Sequence, residues 1–235
     1  MKNFKSKKLV IILLGPPGSG KGTQAGLLAD KLNLYYLESS KIIESNIMQA
    51  KRDDFEIING KKYSLTEERE LWRKGILNTP EVVTIWVQRK IKELGRKNES
   101  LVIAGSPRTL YEGKTIIPLL EKLYGKENIK VILIQVSAEE SIFRNSHRRI
   151  CELMRHPILY SKETIKLKFC PLDGSRLIRR KGLDNPKTIK IRLKQYKERT
   201  FPLVEYLERR GLKVKEVKGK DSVAEVFERI LRALR

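Results

Sequence analysis

Apolar and polar positions are grouped in blocks along this chain. The first block, Leu9-Val10-Ile11-Ile12-Leu13-Leu14, is an unbroken apolar run stopped by Gly15, the pattern of a strand buried on both faces of a parallel sheet. A helix pattern follows from Lys21 to Leu32. Similar runs recur at 101–104, at 129–135 and, more weakly, at 212–217, each followed by a helix-like stretch: Leu110 to Leu123, Ala138 to Ile150 and Asp221 to Leu234. Strands alternating with helices predict βαβ units and a doubly wound α/β domain.

Two stretches break this alternation. Residues 38–79 carry helix-like spacing around Ile42, Ile43, Ile47, Leu65, Leu71 and Trp72 with no strand run, and are expected to form a small helical insert. Residues 151–183 mix a short β-like piece (Thr164 to Phe169), turn residues (Pro171-Leu172-Asp173-Gly174) and many cations, and read as a small lid-like insert. The helix pattern resumes at Asn185-Pro186, where proline suits a first turn. The chain therefore divides into a core of residues 1–37, 80–146 and 185–235, an insert at 38–79 and a lid at 147–184.

With 235 residues, 40% of them hydrophobic, the chain is long and apolar enough for a packed core, which excludes a disulfide-stapled miniprotein and a wholly disordered chain. The 50 Lys and Arg against 28 Asp and Glu leave +22, which implies anionic company: nucleic acid, a phosphate-bearing small molecule or an acidic membrane surface. Between Arg144 and Arg199 stand 17 Lys or Arg against 5 Asp or Glu, so a net +12 lies on the lid and the helix behind it. The two cysteines, Cys151 and Cys170, make no secreted disulfide framework and point to a reducing, cytoplasmic setting. Lys2, Lys5, Lys7 and Lys8 before the first apolar run imitate an export signal, but that run ends after six residues, too short for export or for a span.

The strongest chemical signal is Gly15-Pro16-Pro17-Gly18-Ser19-Gly20-Lys21-Gly22-Thr23, between a predicted buried strand and a helix. Glycines let backbone N–H groups close around phosphate oxygens, the helix N-terminus adds partial positive charge, and Lys21 reaches the terminal phosphates. Gly22 follows the lysine and the hydroxyl arrives one residue later, at Thr23, so the usual direct magnesium ligand of such loops is missing.

This loop resembles that of the adenylate kinase family of nucleoside monophosphate kinases. Gly105-Ser106-Pro107-Arg108-Thr109 looks like the family's GFPRT, Arg144 with Arg148-Arg149 like its RxxxRR, and Asp184-Asn185-Pro186-Lys187-Thr188-Ile189 with Arg192 like its DNPETxxxR. Val217-Lys218-Gly219 resembles the loop set against the nucleotide base. The resemblance implies a P-loop core with a parallel five-stranded sheet flanked by helices, a helical monophosphate-binding insert and a mobile lid. It implies phosphoryl transfer from MgATP to a nucleoside monophosphate, AMP first, by a monomer, with no membrane and no specific nucleic acid as partner.

The same resemblance implies residue roles. Lys21, Arg108, Arg148 and Arg192 are the catalytic cations, joined by a lid arginine that falls near Lys181 and is taken as Arg180. ATP is held by Gly15, Pro16, Gly18, Ser19, Gly20, Lys21, Gly22, Thr23 and Arg148, with Arg144 stacked over the base and Lys218 beside it. The monophosphate falls to Ser39, Lys41, Arg108, Glu112 and Arg192.

Several positions depart from the family pattern. The family's STGDxLR is matched by Glu38 to Glu44, with Lys41 in place of Asp and Glu44 in place of the phosphate-gripping Arg, so Lys41 is expected to take over the grip. Ala104 replaces the aspartate that holds waters on magnesium, Ser106 replaces a phenylalanine, and Glu112 stands for the glutamine that reads adenine. An ionised glutamate offers only acceptors, which suits guanine at least as well as adenine. In the lid, Cys151, Cys170 and Asp173 occupy zinc-ligand positions but Met154 replaces the fourth, with His156 nearby; a zinc site and a metal-free lid both remain open. Two rivals to an AMP kinase follow: a kinase for GMP or another monophosphate, and a decayed phosphate-loop protein that senses nucleotides or binds RNA.

Overall fold

The computed structural model describes residues 8–155, 157–179 and 184–235. His156, Arg180 and Lys181 lie outside them, as do the lysines at 2, 5 and 7. The core is a five-stranded parallel sheet in the order Val214–Lys218 (β10), Ile129–Gln135 (β6), Val10–Leu14 (β1), Leu101–Ala104 (β5), Tyr35–Glu38 (β2). Successive side chains of a strand point to opposite faces, and the sheet shows it: Val10, Ile12 and Leu14 join one core cluster while Leu9, Ile11 and Leu13 join another.

The first cluster is closed by the helices Pro80–Arg96 (α4), Leu110–Tyr124 (α5) and Phe201–Arg209 (α8); the second by Lys21–Leu32 (α1) and Val223–Leu234 (α9). Layers on both faces are what uniformly apolar strands require. β2 was not expected from the sequence. It is an edge strand with Tyr35 exposed and only Leu37 buried, so it carries no apolar run.

The segment at 38–79 is not wholly helical, which corrects the sequence reading. Helices Ser39–Ile47 (α2) and Leu65–Arg73 (α3) flank an antiparallel hairpin, Phe55–Ile58 (β3) with Lys61–Ser64 (β4), turned at Asn59 and Gly60, both with φ above zero. Glu56 fastens the hairpin to α4: its Oε1 accepts from Trp86 Nε1 and Arg89 Nη1, both at 2.7 Å.

The helix expected from Ala138 to Ile150 ends at His147 (α6), a second correction. Arg148 turns to extended φ/ψ and Arg149–Cys151 (β7) pairs on either side with Pro157–Ile158 (β8) and Leu177–Ile178 (β9). The β-like piece at 164–169 forms turns instead, with Phe169 in a single bridge to Arg176. Arg149 holds these turns together by donating to the carbonyls of Thr164 and Leu167. Helix Pro186–Gln195 (α7) starts where expected, with Asn185 Oδ1 accepting from Thr188 N at 2.9 Å. Among the described residues no helix is long and apolar enough to cross a membrane.

Candidate active site

The loop of residues 15–20 leaves the C-terminal end of β1 and delivers the chain into α1, with Gly15, Gly18 and Gly20 at positive φ. Two of these glycines are required by contact as well as by φ: a Cβ on Gly15 would overlap the Ile134 carbonyl oxygen, and one on Gly18 the Asn145 amide. Lys21 folds back over the loop, its Nζ donating to the carbonyls of Gly15 at 2.7 Å and Pro16 at 2.8 Å. Burial, with the guanidinium groups of Arg108 and Arg192 adding to it, pushes the Lys21 ammonium down to about 7. Lys21 therefore feels the charges of two cations, Arg108 and Arg192, expected from two other motifs.

Arg108 hangs from the loop after β5, the strand beside β1. Its Nη2 donates to Ser39 Oγ at 3.2 Å and its Nε to the Gly105 carbonyl. Burial lowers its pKa, opposed by the carboxylates of Glu112 and Glu38. Ser39, fully buried at the start of α2 after β2, thus meets Arg108, the two being expected separately at the monophosphate. All of these groups gather at the C-terminal ends of parallel strands, where open α/β sheets bind ligands.

Arg148 lies at the end of α6. Its Nη2 donates to Asp184 Oδ1 at 2.6 Å and to Asn145 Oδ1 at 2.9 Å. Asp184 is buried just ahead of the Asn185 cap of α7, so this bond ties together the two stalks of the lid. Asn145 and Ser141, both buried, reach the other way: Ser141 Oγ donates to the Pro17 carbonyl at 2.5 Å, binding α6 to the phosphate loop. Sequence reasoning missed Ser141 and Asn145. Their spacing with Arg144 along α6, just ahead of Arg148, was the available signal.

Arg144 Nη2 donates to the Lys220 carbonyl at 2.9 Å, one residue past the expected base-side stretch 217–219, whose Gly219 N donates to the Gln135 carbonyl at 2.8 Å. Lys218 itself is exposed at the end of β10.

The acceptor side differs more from the pattern. Lys41 is 69% exposed, with its ammonium 3.7 Å from Glu38. Glu44 accepts from Arg155 of the lid at 3.3 Å, a bond that spans from α2 to the far insert. Glu38, another residue sequence reasoning gave no role, pairs in register with Ala104 and so puts a carboxylate beside the position where that strand has none. Glu112 is 2% exposed, at the first turn of α5.

In the lid, ligand atoms of Cys151, Cys170 and Asp173 lie within 4.8 Å of one another. Asp173 Oδ2 accepts from the Cys151 thiol at 3.0 Å, while its Oδ1 accepts from Ser175 N at 2.9 Å. These donors, the thiol first, hold the Asp173 carboxyl well below the usual carboxylate range. Met154 is 62% exposed.

The family model described as adenylate kinase matches residues 13–212. The chain belongs to the adenylate kinase family. It is 31% identical over 226 residues to an adenylate kinase of Caldicellulosiruptor saccharolyticus, covering 95% of this chain and 98% of the relative. It is 31% identical over 229 residues to one of Acetivibrio thermocellus (95% and 97%), and 30% identical over 219 residues to one of Clostridium botulinum (92% and 94%). As a member of the adenylate kinase family the chain is a nucleoside monophosphate kinase, a phosphotransferase that uses ATP with Mg2+.

Proposed function

We propose that this kinase moves the γ-phosphoryl group of MgATP to AMP, reversibly, giving two diphosphates. The observation that carries the reading is Lys21 folded over the carbonyls of Gly15 and Pro16 in the phosphate loop, within reach of the charges of Arg108 and Arg192 from segments far apart in the chain. Phosphoryl transfer spreads negative charge over the moving group, so alignment and fixed positive charge supply most of the catalysis.

In this reading the amides of residues 15–20 cradle the donor phosphates. Lys21 leaves the carbonyls of Gly15 and Pro16 for phosphate oxygens. Arg148 and Arg192 reach in from the lid stalk and α7, and Arg108 with Ser39 holds the acceptor's phosphate. Arg144 lies over the donor's base, with Lys218 at its edge; Arg180 completes the cation set from the lid. Mg2+ would enter with ATP and would neutralise phosphate charge, and Gly22 leaves no loop hydroxyl next to Lys21 to hold it. No side chain has to accept a proton, because the acceptor is already an anion.

A coupled assay over the common monophosphates tests the acceptor: AMP is expected to show the highest kcat/KM, and a lead for GMP would replace it. Absence of transfer to every acceptor, with salt-sensitive RNA binding, would favour the decayed-site reading instead. Lys41 offers a further check. Its exposed pair with Glu38 is worth little, so a phosphate can draw the ammonium away, and Lys41→Ala is expected to raise the KM of the monophosphate about tenfold, the loss of one charge-assisted hydrogen bond. An unchanged KM removes Lys41 from the site.

We also propose that Cys151, Cys170 and Asp173 hold a structural zinc ion in the lid. Two thiolates and a carboxylate are a suitable donor set, and the Ser175 bonds orient Asp173 as outer-shell partners do. Water, or His156 outside the described residues, would supply a fourth ligand. Elemental analysis of the purified protein is expected to find stoichiometric zinc that disappears in Cys151→Ser; a protein without it has a metal-free lid.

A further inference from the structure

Ser106 is fully buried and Glu112 nearly so, and these two of the positions that depart from the family pattern touch each other. Ser106 Oγ donates to Glu112 Oε2 at 2.5 Å, and the backbone N–H of Arg108 donates to the same oxygen at 3.0 Å. The Glu112 N–H returns to Thr109 Oγ1 at 3.2 Å, and Thr109 Oγ1 lies 3.4 Å from the second carboxylate oxygen. The loop of residues 105–109 is thereby stitched to the first turn of α5 at three points.

We propose that Glu112 is a positioning residue for phosphoryl transfer: together with Ser106 it fixes the backbone from which Arg108 reaches the phosphates, and it does not read the base. The proposal rests on the reading that Arg108 grips phosphate. A carboxylate can accept about four hydrogen bonds, and here the oxygen nearest the loop already takes two from groups that the loop cannot satisfy elsewhere once buried. A base that recruited this oxygen would leave the Ser106 hydroxyl or the Arg108 amide unpaired, which is costly inside a protein. Arg108 is held at its other end by Gly105 and Ser39, so both its backbone and its guanidinium have fixed partners. The relation is mutual. Ser106 and Arg108 stabilise the Glu112 carboxylate against the upward push of burial, and Glu112 supports the Arg108 charge against the same burial.

A helix cap alone would affect stability and leave turnover untouched, whereas a positioning residue affects turnover with every acceptor alike. The test measures kcat, KM and melting temperature for Glu112→Met, Glu112→Gln and Ser106→Ala with AMP and with GMP. Misplacing a reacting-site group by about 1 Å costs on the order of 100-fold, so Glu112→Met is expected to lower kcat roughly 10- to 100-fold for both acceptors, with their kcat/KM ratio unchanged within about threefold. Glu112→Gln, which keeps an acceptor oxygen at the same place, is expected to recover most of that loss. Ser106→Ala, which removes one of the two bonds, should show a smaller loss of roughly threefold to tenfold. In an Arg108→Ala background Glu112→Met should add little, because the two act as a unit.

A tenfold change in the AMP-to-GMP ratio in Glu112→Gln would make Glu112 the base reader and overturn the proposal. So would a Glu112→Met protein with lowered melting temperature and full kcat. If Glu112→Met does not fold, Ser106→Ala decides in its place: an unchanged kcat overturns the proposal. Full kcat in Arg108→Ala alone would instead remove the reading of Arg108 on which this one rests, whatever the Glu112 variants do.

Discussion

Lys21→Met is expected to lower kcat on the order of 10³-fold while the protein stays folded. Lys21 is the only one of the grouped cations rooted in the phosphate loop itself, and methionine fills its stem without its charge. The fold should also gain stability. A lysine pushed down to about 7 by burial and by Arg108 and Arg192 is harder to protonate in the folded chain than in the unfolded one. Unfolding therefore takes up a proton between that value and the ordinary lysine pKa. Across this window stability falls as pH falls, and below about 7 the full penalty is present. Removing the amine removes the penalty, which amounts to a few kcal/mol.

Phosphate binding has the opposite sign. Anionic oxygens favour the ammonium, so ATP binding at pH 8 should draw a proton from the buffer, and calorimetry in buffers of different ionisation enthalpy reads that uptake. Lys21→Met should abolish it. Full activity in this variant, or proton uptake that persists without Lys21, would overturn the assignment.

The second large effect is expected at Arg148. Arg148→Ala should lower kcat about 10²- to 10³-fold and destabilise the protein by about 3 kcal/mol, because it takes a cation from the site and breaks a charge-assisted pair with the buried Asp184. The two losses separate on Asp184→Asn. Asparagine still accepts from Arg148 but carries no charge, so the lid stalks stay joined while the guanidinium is less strongly held. Denaturant melts and single-turnover rates on both variants check this. A melt of Arg148→Ala that matches wild type would show that the lid stalks hold without the bond.

How much of this was legible beforehand depends on where each signal lives in the chain. The phosphate loop, its strand and α1 could be read to within one residue, since a continuous apolar run, three glycines at positive φ and a lysine are local requirements of a strand, a turn and a helix start. The alternation of strands and helices, and the motifs that carry Arg108, Arg148 and Arg192, are equally written along the chain. The hairpin at 55–64 was not legible. Phe55 and Ile57 are exposed, so no buried face imprints a period of two. Its anchor, Glu56 on Trp86 and Arg89, joins residues some 30 apart in the chain.

The charge divides the same way. The net +12 between Arg144 and Arg199 was countable from the sequence, but only the packing of α7 shows that Arg192 feels Lys21 while Lys187, Lys190 and Lys194 face solvent. The sequence by itself determined the fold class, the loop chemistry and the family, because these rest on residue types at fixed local spacing. The tertiary structure alone decided that Arg148 bonds Asp184, that Glu44 reaches Arg155 and that Glu112 turns to Ser106. The first two pairings are made between segments distant in the chain, and the third needs the loop after β5 to fold back on α5. Which buried donor meets which acceptor is settled only when the sheet has brought those segments to one edge.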